Sequence, residues 1–134
     1  MRRILLTLPV LLLLCGCAVT STVEYTKAKP GDVSSSGKAA VAYLEGMNSG
    51  AYLFYYIPLW SGKENRPNRR EYDTFEDHLT HGEMRKMLKL YARRLKADDV
   101  EDIKIHSASS GIWTLWIIWK RSLHATGTAV KSKK

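Results

Sequence analysis

The sequence predicts an α+β fold in which one amphipathic helix packs on a small, mainly antiparallel sheet. Three observations support this prediction. One segment, near residues 81–95, places apolar residues at helical spacing. Several short segments on either side of it are rich in aromatic and β-branched residues, as strands are. Clusters of Gly, Ser and Asn separate these segments, which is typical of the turns between antiparallel strands.

The first 16 residues are predicted to be a signal peptide and not part of the fold. A positively charged start is followed by an apolar run, residues 4–14, that is shorter than the roughly 20 residues a membrane-spanning helix needs. The run ends in Leu14-Cys15-Gly16-Cys17, which resembles the bacterial lipobox. The resemblance implies a diacylglycerol on the Cys17 thiol and cleavage between Gly16 and Cys17. The alternative is an ordinary secretory signal with a chance cysteine.

The expected lipid anchor has consequences for chemistry and location. Because Cys15 would be removed and Cys17 modified, the mature chain would keep no thiol for disulfides. Ala18, in place of an Asp, resembles the outer-membrane class, so we expect the periplasmic face of the outer membrane in a Gram-negative host. In a host with one membrane we expect the outer face of the plasma membrane. The formal charge of +8 favours an anionic lipid or cell-wall polymer over nucleic acid, which an exported protein rarely meets.

The segment after Cys17 is expected to be a flexible tether because it is rich in Ser, Thr, Lys, Pro and Gly. Residues 38–47 are interpreted as a strand, with a short helix as the alternative, and residues 48–50 as a turn. Residues 51–60 form a second predicted strand, ended by Pro58. The predicted division is therefore a signal peptide at 1–16, a lipidated N-terminus and tether at 17–37, and an α+β domain at 38–134.

The predicted helix begins at a capping box, Thr80-His81-Gly82-Glu83. In this motif the Thr80 hydroxyl caps a backbone N–H, and the Glu83 side chain reaches back. The apolar stripe of the helix consists of Met84, Met87, Leu88, Tyr91 and Leu95. Its other faces are basic, and we expect Arg85, Lys86, Lys89, Arg93 and Arg94 to form a polyanion-binding surface, together with Arg66, Arg69 and Arg70 from the preceding loop.

Three further strands are predicted after the helix, at residues 100–107, 112–119 and 124–130, joined by a turn at 107–111 and a connection at 120–123. The segment from Ile112 to Trp119 is apolar on both alternating faces. One face therefore has to meet something besides the core, and a second copy of the chain is one candidate partner. An envelope protein, a second sheet layer or lipid are the others.

Three patches resemble a group of small uncharacterised bacterial lipoproteins. They are Tyr52-Leu53-Phe54 with Ile57-Pro58-Leu59 and Ser61-Gly62, then Tyr91-Ala92 with Ala97-Asp98-Asp99-Val100, and finally Gly127-Thr128-Ala129-Val130. The last two are also similar to the YbjQ-like domain, which implies one helix against a small sheet. Lys96 stands where the relatives have Gly, just after the helix. The resemblance implies fold and location, and carries no activity.

Two clusters of polar residues are candidates for a metal site or a catalytic site. His78 and His81, with Asp77 beside them, have a spacing that a surface metal site could use. Asp98, Asp99, Glu101 and Asp102 could supply acid–base groups if they lay in a cleft. Without a nucleophile motif, the sequence favours a non-enzymatic binding or structural module with no cofactor and no metal. The alternative is an envelope metal-binding protein or hydrolase that uses both clusters.

Overall fold

The computed structural model describes residues 21–69, 71–111 and 117–132. The elements are β1 (Ser21–Lys27), β2 (Ala39–Leu53), β3 (Ile57–Gly62), β4 (Tyr72–Thr74), α1 (His81–Arg94), β5 (Asp99–Ser110) and β6 (Ile118–Lys131). In these ranges the predicted α+β class, with one helix on a mainly antiparallel sheet, is confirmed. Gly16, Cys17 and the rest of the predicted signal peptide lie outside the described residues. Within the described ranges, no helix has the length and apolar character needed to span a membrane.

The sheet is built around the long β2 and β6 strands. Its order is β4-β3-β2-β6-β5, and every pairing is antiparallel. β2 and β6 pair along their whole length, from Ala39↔Lys131 to Leu53↔Ile118. The other edge of β2 is shared by two strands, since β1 pairs with residues 42–48 and β3 with residues 50–53. The loop after β3 therefore lies beside the beginning of β1.

The core lies between α1 and one face of this sheet. The helix buries Met84, Met87 and Leu88 of the predicted stripe and also Ala92, while Tyr91 and Leu95 of that stripe are partly buried. Opposite them, the sheet contributes Val23, Leu44, Leu123, Ala125 and Ala129. Gly46 allows the helix to come close, because a Cβ at this position would lie 2.9 Å from the Met87 Cε atom. The opposite face of the sheet is mainly polar.

Both ends of α1 are capped as helix ends require. The Thr80 hydroxyl accepts the Glu83 N–H at 3.2 Å, as predicted, while the Glu83 carboxylate pairs with Lys86 and does not reach back. At the other end, Lys96 adopts φ +60. The Ala97 N–H donates to the Ala92 carbonyl and the Lys96 N–H to the Arg93 carbonyl, which is the Schellman pattern. Lys96 therefore takes the left-handed position that usually belongs to Gly.

The expected tether at residues 17–37 is corrected from Ser21 onward. Ser21–Lys27 is β1, in which Ser21 and Val23 are buried, and Val33 bridges Ala39. Val23, Tyr25 and the two Thr residues of this segment favour a strand, but the Ser-, Lys- and Gly-rich composition around it concealed it. The domain consequently includes residues from Ser21 onward, and the predicted start at residue 38 is too late.

Two predicted breaks within strands are also wrong. β2 runs unbroken through residues 48–50, and the turn lies at residues 54–56, where Phe54 and Tyr55 have φ +50 and +75. β6 is likewise continuous through the connection predicted at residues 120–123. The strand predicted from Ile112 to Trp119 lies largely outside the described residues, and only Ile118 and Trp119 belong to β6.

Candidate functional site

The segment before the helix is held in place by buried polar groups. Asn48 on β2 and Ser61 on β3 are fully buried. The Asn48 amide donates to the His78 carbonyl at 3.3 Å, and the Ser61 hydroxyl accepts the His78 N–H at 3.2 Å. The same hydroxyl donates to the Glu76 carbonyl at 2.8 Å, and Leu79 enters the core. The backbone at residues 76–79 is therefore fixed on both sides of His78.

The His78 ring is surrounded by three carboxylates. Its Nδ1 atom lies 3.3 Å from Glu64 Oε2. Its Nε2 atom lies 3.1 Å from Asp73 Oδ2 and 3.2 Å from Glu76 Oε2. Lys63 contacts the other Asp73 oxygen at 2.7 Å, and this hydrogen bond is the main cause that lowers the pKa of Asp73 below its usual value. Asp73 therefore stays ionised beside the ring.

Asp77 is engaged elsewhere, although its position next to His78 suggested a shared metal site. The buried Tyr52 hydroxyl donates to Asp77 Oδ1 at 2.5 Å, and the Leu79 N–H donates to the same oxygen. Burial, aided by the Asp77 carboxylate, raises the pKa of Tyr52 well above its usual value. The Arg121 guanidinium stacks over the Tyr52 ring at 4.5 Å from its centroid. These contacts tie the pre-helix segment to β2 and β6.

His81 does not join His78. The three-residue spacing would bring the two rings together on a helix, but His78 precedes the N-cap Thr80, so only His81 is helical. The residues that do converge with His78 are Asp73 on β4 and Glu76 in the following loop. Sequence reasoning missed them. The available signal was the spacing Glu76-x-His78, since alternate side chains of an extended segment share a face. The odd separation between Asp73 and Glu76, with Phe75 at φ +60 between them, gave no such signal.

The acidic cluster after the helix forms structural contacts. Glu101 receives hydrogen bonds from Ser34, Ser36 and Lys38 and an ion pair from Lys38 at 2.6 Å, and these bonds lower its pKa to about 2. Asp102 accepts from the Ser35 backbone and hydroxyl. Asp98 accepts the Ser132 N–H, and Asp99 pairs with Lys89. The cluster also follows α1 whereas His78 precedes it. A 14-residue helix, about 21 Å long, separates the two.

The basic residues are redistributed by the fold. Lys86 pairs with Glu83 at 2.6 Å and Lys89 with Asp99 at 3.1 Å, so two of the five predicted helix cations are partly neutralised. Arg85 and Arg93 are exposed on the helix. Arg70 lies outside the described residues.

Arg94 is brought together with the loop after β3. It lines a pocket of about 370 Å³ with Arg66, Arg69, Asn65 and Pro67. The loop is fixed by Asn68, whose N–H donates to the Ser21 carbonyl at 2.7 Å and whose side chain bonds both backbone groups of Val23. Glu71 contacts Arg66 at 3.2 Å and Arg69 at 3.8 Å. We call this set of three guanidinium groups the arginine pocket.

The open face of the sheet carries two like-residue pairs. Glu24 lies directly opposite Glu45, and His106 directly opposite His124, on neighbouring antiparallel strands. Opposed like charges destabilise a sheet, so the glutamate pair would favour a cation nearby. Both glutamates line a shallow groove of about 360 Å³ that also includes Lys104.

These arrangements differ in what they can bind. Guanidinium groups form paired hydrogen bonds with phosphate or carboxylate oxygens, which makes the arginine pocket an anion site. Imidazole and carboxylate groups suit a cation, which fits the surroundings of His78. The chain matches no protein-family model, no curated protein and no solved structure.

Proposed function

We propose that this chain is a lipid-anchored protein of the cell envelope, non-enzymatic, whose arginine pocket binds the phosphate groups of anionic lipid at the membrane surface. The position of that pocket in the fold supports the proposal. Arg66, Arg69 and Arg94 converge beside the first residue of β1. In the sequence, β1 follows shortly after Cys17, the cysteine of the lipobox-like motif.

The short spacing between Cys17 and Ser21 keeps the pocket near the membrane. Only Ala18, Val19 and Thr20 lie between them. A fully extended chain over four residue steps spans at most about 14 Å. A diacylglycerol on Cys17 would therefore hold Ser21 within about 14 Å of the headgroups. Because Asn68 bonds the Ser21 carbonyl, its loop neighbours Arg66 and Arg69 would share that proximity.

The charge of the pocket suits this ligand. Among the described residues, Glu71 is the one carboxylate paired with Arg66 and Arg69. Such exposed ion pairs contribute little to stability, so the guanidinium groups can exchange Glu71 for another anion. The Arg94 guanidinium lies 5.9 Å from the Tyr91 ring centroid. A basic residue near an anionic membrane contributes about 1 kcal/mol to binding. Three of them would therefore strengthen membrane binding by about 100-fold.

The anchor is tested by mass spectrometry of the membrane fraction of cells that produce the chain. We expect an N-terminus at Cys17 that carries diacylglycerol. An unmodified Cys17, or cleavage at another bond, would show that the anchor is absent.

The pocket is tested separately, without the anchor, on residues 18–134. Cosedimentation compares vesicles of phosphatidylglycerol with vesicles of phosphatidylcholine, and inorganic phosphate serves as a soluble competitor. Replacing Arg66, Arg69 and Arg94 together by Gln should weaken binding to the anionic vesicles by about 100-fold. The matched control replaces the exposed Lys27, Lys104 and Lys131 by Gln, an equal change of charge outside the pocket. An equal loss in both variants would mean that net charge, and not the pocket, attracts the membrane.

A further inference from the structure

His78 is the centre of a second cluster of potential ligands, separate from the arginine pocket. Three potential ligand atoms, from Asp73, Glu76 and His78, lie within 4.8 Å of one another. The fourth group, Glu64, faces the other ring nitrogen of His78. A single imidazole thus lies between a carboxylate on one side and two carboxylates on the other.

The carboxylates around the ring outnumber the cations. Lys63 contacts one oxygen of Asp73, while the other Asp73 oxygen and a Glu76 oxygen lie 3.1 and 3.2 Å from Nε2. A neutral imidazole has one N–H and one lone pair. With the proton on Nδ1, towards Glu64, the Nε2 lone pair faces these two oxygens. A metal ion between the three atoms would then take the place of the proton that an Nε2–Asp73 hydrogen bond needs.

The geometry fits a small divalent metal ion. Zinc binds imidazole nitrogen and carboxylate oxygen at about 2.0–2.2 Å, so neighbouring tetrahedral ligands lie about 3.4 Å apart. The distances from His78 Nε2 to Asp73 Oδ2 and to Glu76 Oε2 are within about 0.3 Å of this value. A histidine that ligates metal commonly donates its other N–H to a carboxylate, which is the place that Glu64 occupies.

The site is also largely pre-formed. The Asn48 and Ser61 hydrogen bonds fix the His78 backbone, and Lys63 fixes Asp73 through the oxygen that does not face the ring. Glu76 is the most exposed of the three, with 67% of its side-chain surface accessible. Because His78 and Asp73 are already held by these contacts, fewer side chains have to be ordered on binding, which lowers the entropic cost.

We propose that Asp73, Glu76 and His78 bind a divalent transition-metal ion of the zinc class, with Glu64 as the positioning carboxylate. Three protein ligands leave a fourth position open to water or to an external ligand. The mixed nitrogen and oxygen donor set favours zinc or its first-row neighbours over calcium and magnesium, which prefer oxygen alone.

The test is a titration of the full chain in detergent with Co²⁺, followed by its visible absorption, and with Zn²⁺, followed by calorimetry. Cys15 and Cys17 are replaced by Ser in every sample, so that no thiol competes. We expect one ion per chain. His78→Ala should weaken binding by more than 100-fold, and Glu64→Gln by about 10- to 100-fold, as for other outer carboxylates. The matched control, His81→Ala, removes an exposed histidine three residues away and should leave affinity unchanged.

Circular dichroism shows whether each variant folds. Glu76→Gln provides a second probe, because the exposed Glu76 side chain can be changed without disturbing the core. It should weaken binding by at least 10-fold. Binding that survives both His78→Ala and Glu76→Gln would overturn the proposal. Loss of binding in His124→Ala would also overturn it, because the metal would then lie at the His106–His124 pair on the open face.

Discussion

Replacing Lys96 by Gly is expected to stabilise the fold. Lys96 has φ +60, and a non-glycine residue in this left-handed region costs about 1–2 kcal/mol. Glycine avoids that cost, but its greater conformational entropy in the unfolded chain lowers the free energy of unfolding by about 0.5–1 kcal/mol. Both Schellman hydrogen bonds use backbone atoms, so the substitution keeps them. The net gain in the free energy of unfolding is therefore about 0.5–1 kcal/mol.

Urea unfolding followed by circular dichroism measures this gain. With an m value of about 1.5 kcal/mol/M, the midpoint should rise by about 0.3–0.7 M while m stays constant. Lys96→Ala is the control, since it removes the long side chain but keeps the Cβ atom that makes this conformation costly. An equal rise in both variants would attribute the effect to the lysine charge, and no rise in Lys96→Gly would refute the conformational argument.

Three further predictions concern packing and pH. Leu88→Ala, at a fully buried position under the sheet, should lower the free energy of unfolding by about 2–5 kcal/mol in the same urea assay. Gly127→Ala should cost about 1–3 kcal/mol, and more than Gly46→Ala. Its Cβ would lie 2.7 Å from the stiff Val100 side chain, whereas the one at Gly46 first meets the flexible end of Met87. Equal losses would contradict this difference. Folding lowers the pKa of Glu101 from 4.5 to about 2. This shift stabilises the folded state above pH 4.5, and the stabilisation is lost as the pH falls towards 2. Glu101→Gln should flatten that part of the stability curve measured by thermal unfolding, and an unchanged slope would refute the assignment.

The helix could be predicted from the sequence because its signals are local. The apolar stripe repeats over about three turns, and Thr80 lies three residues before the N–H that it caps. The break predicted within β2 failed because Gly can serve two purposes in a strand. Gly46 admits the helix and Gly50 lies against the Trp60 carbonyl, so neither marks a turn. The real turn uses Phe54 and Tyr55 with positive φ, residue types that give no turn signal.

The candidate sites depended on contacts that sequence spacing cannot provide. The ring of His78 meets Glu64 and Asp73, from separate segments, because β3 pairs with β4 and the chain after β4 returns to Ser61, whose hydroxyl accepts the His78 N–H. The arginine pocket likewise joins residues 66 and 69 to residue 94. The basic composition indicated an anion-binding surface in general terms. The location of the arginine pocket depends on the hydrogen bonds of Asn68. No sequence motif indicates these bonds, because Asn68 is a single exposed loop residue with φ +69.

The pairing of β2 with β6 also affects when this chain can fold. Ala39 pairs with Lys131, so the central ladder joins segments that are far apart along the chain. β5 has β6 as its strand neighbour, and the helix packs on residues from both β2 and β6. A growing chain that lacks β6 therefore has neither its central ladder nor a complete surface for the helix, and such distant pairings form slowly. Folding of this sheet must therefore await β6, and the segments from β1 to β5 stay open to solvent until that strand has been synthesised.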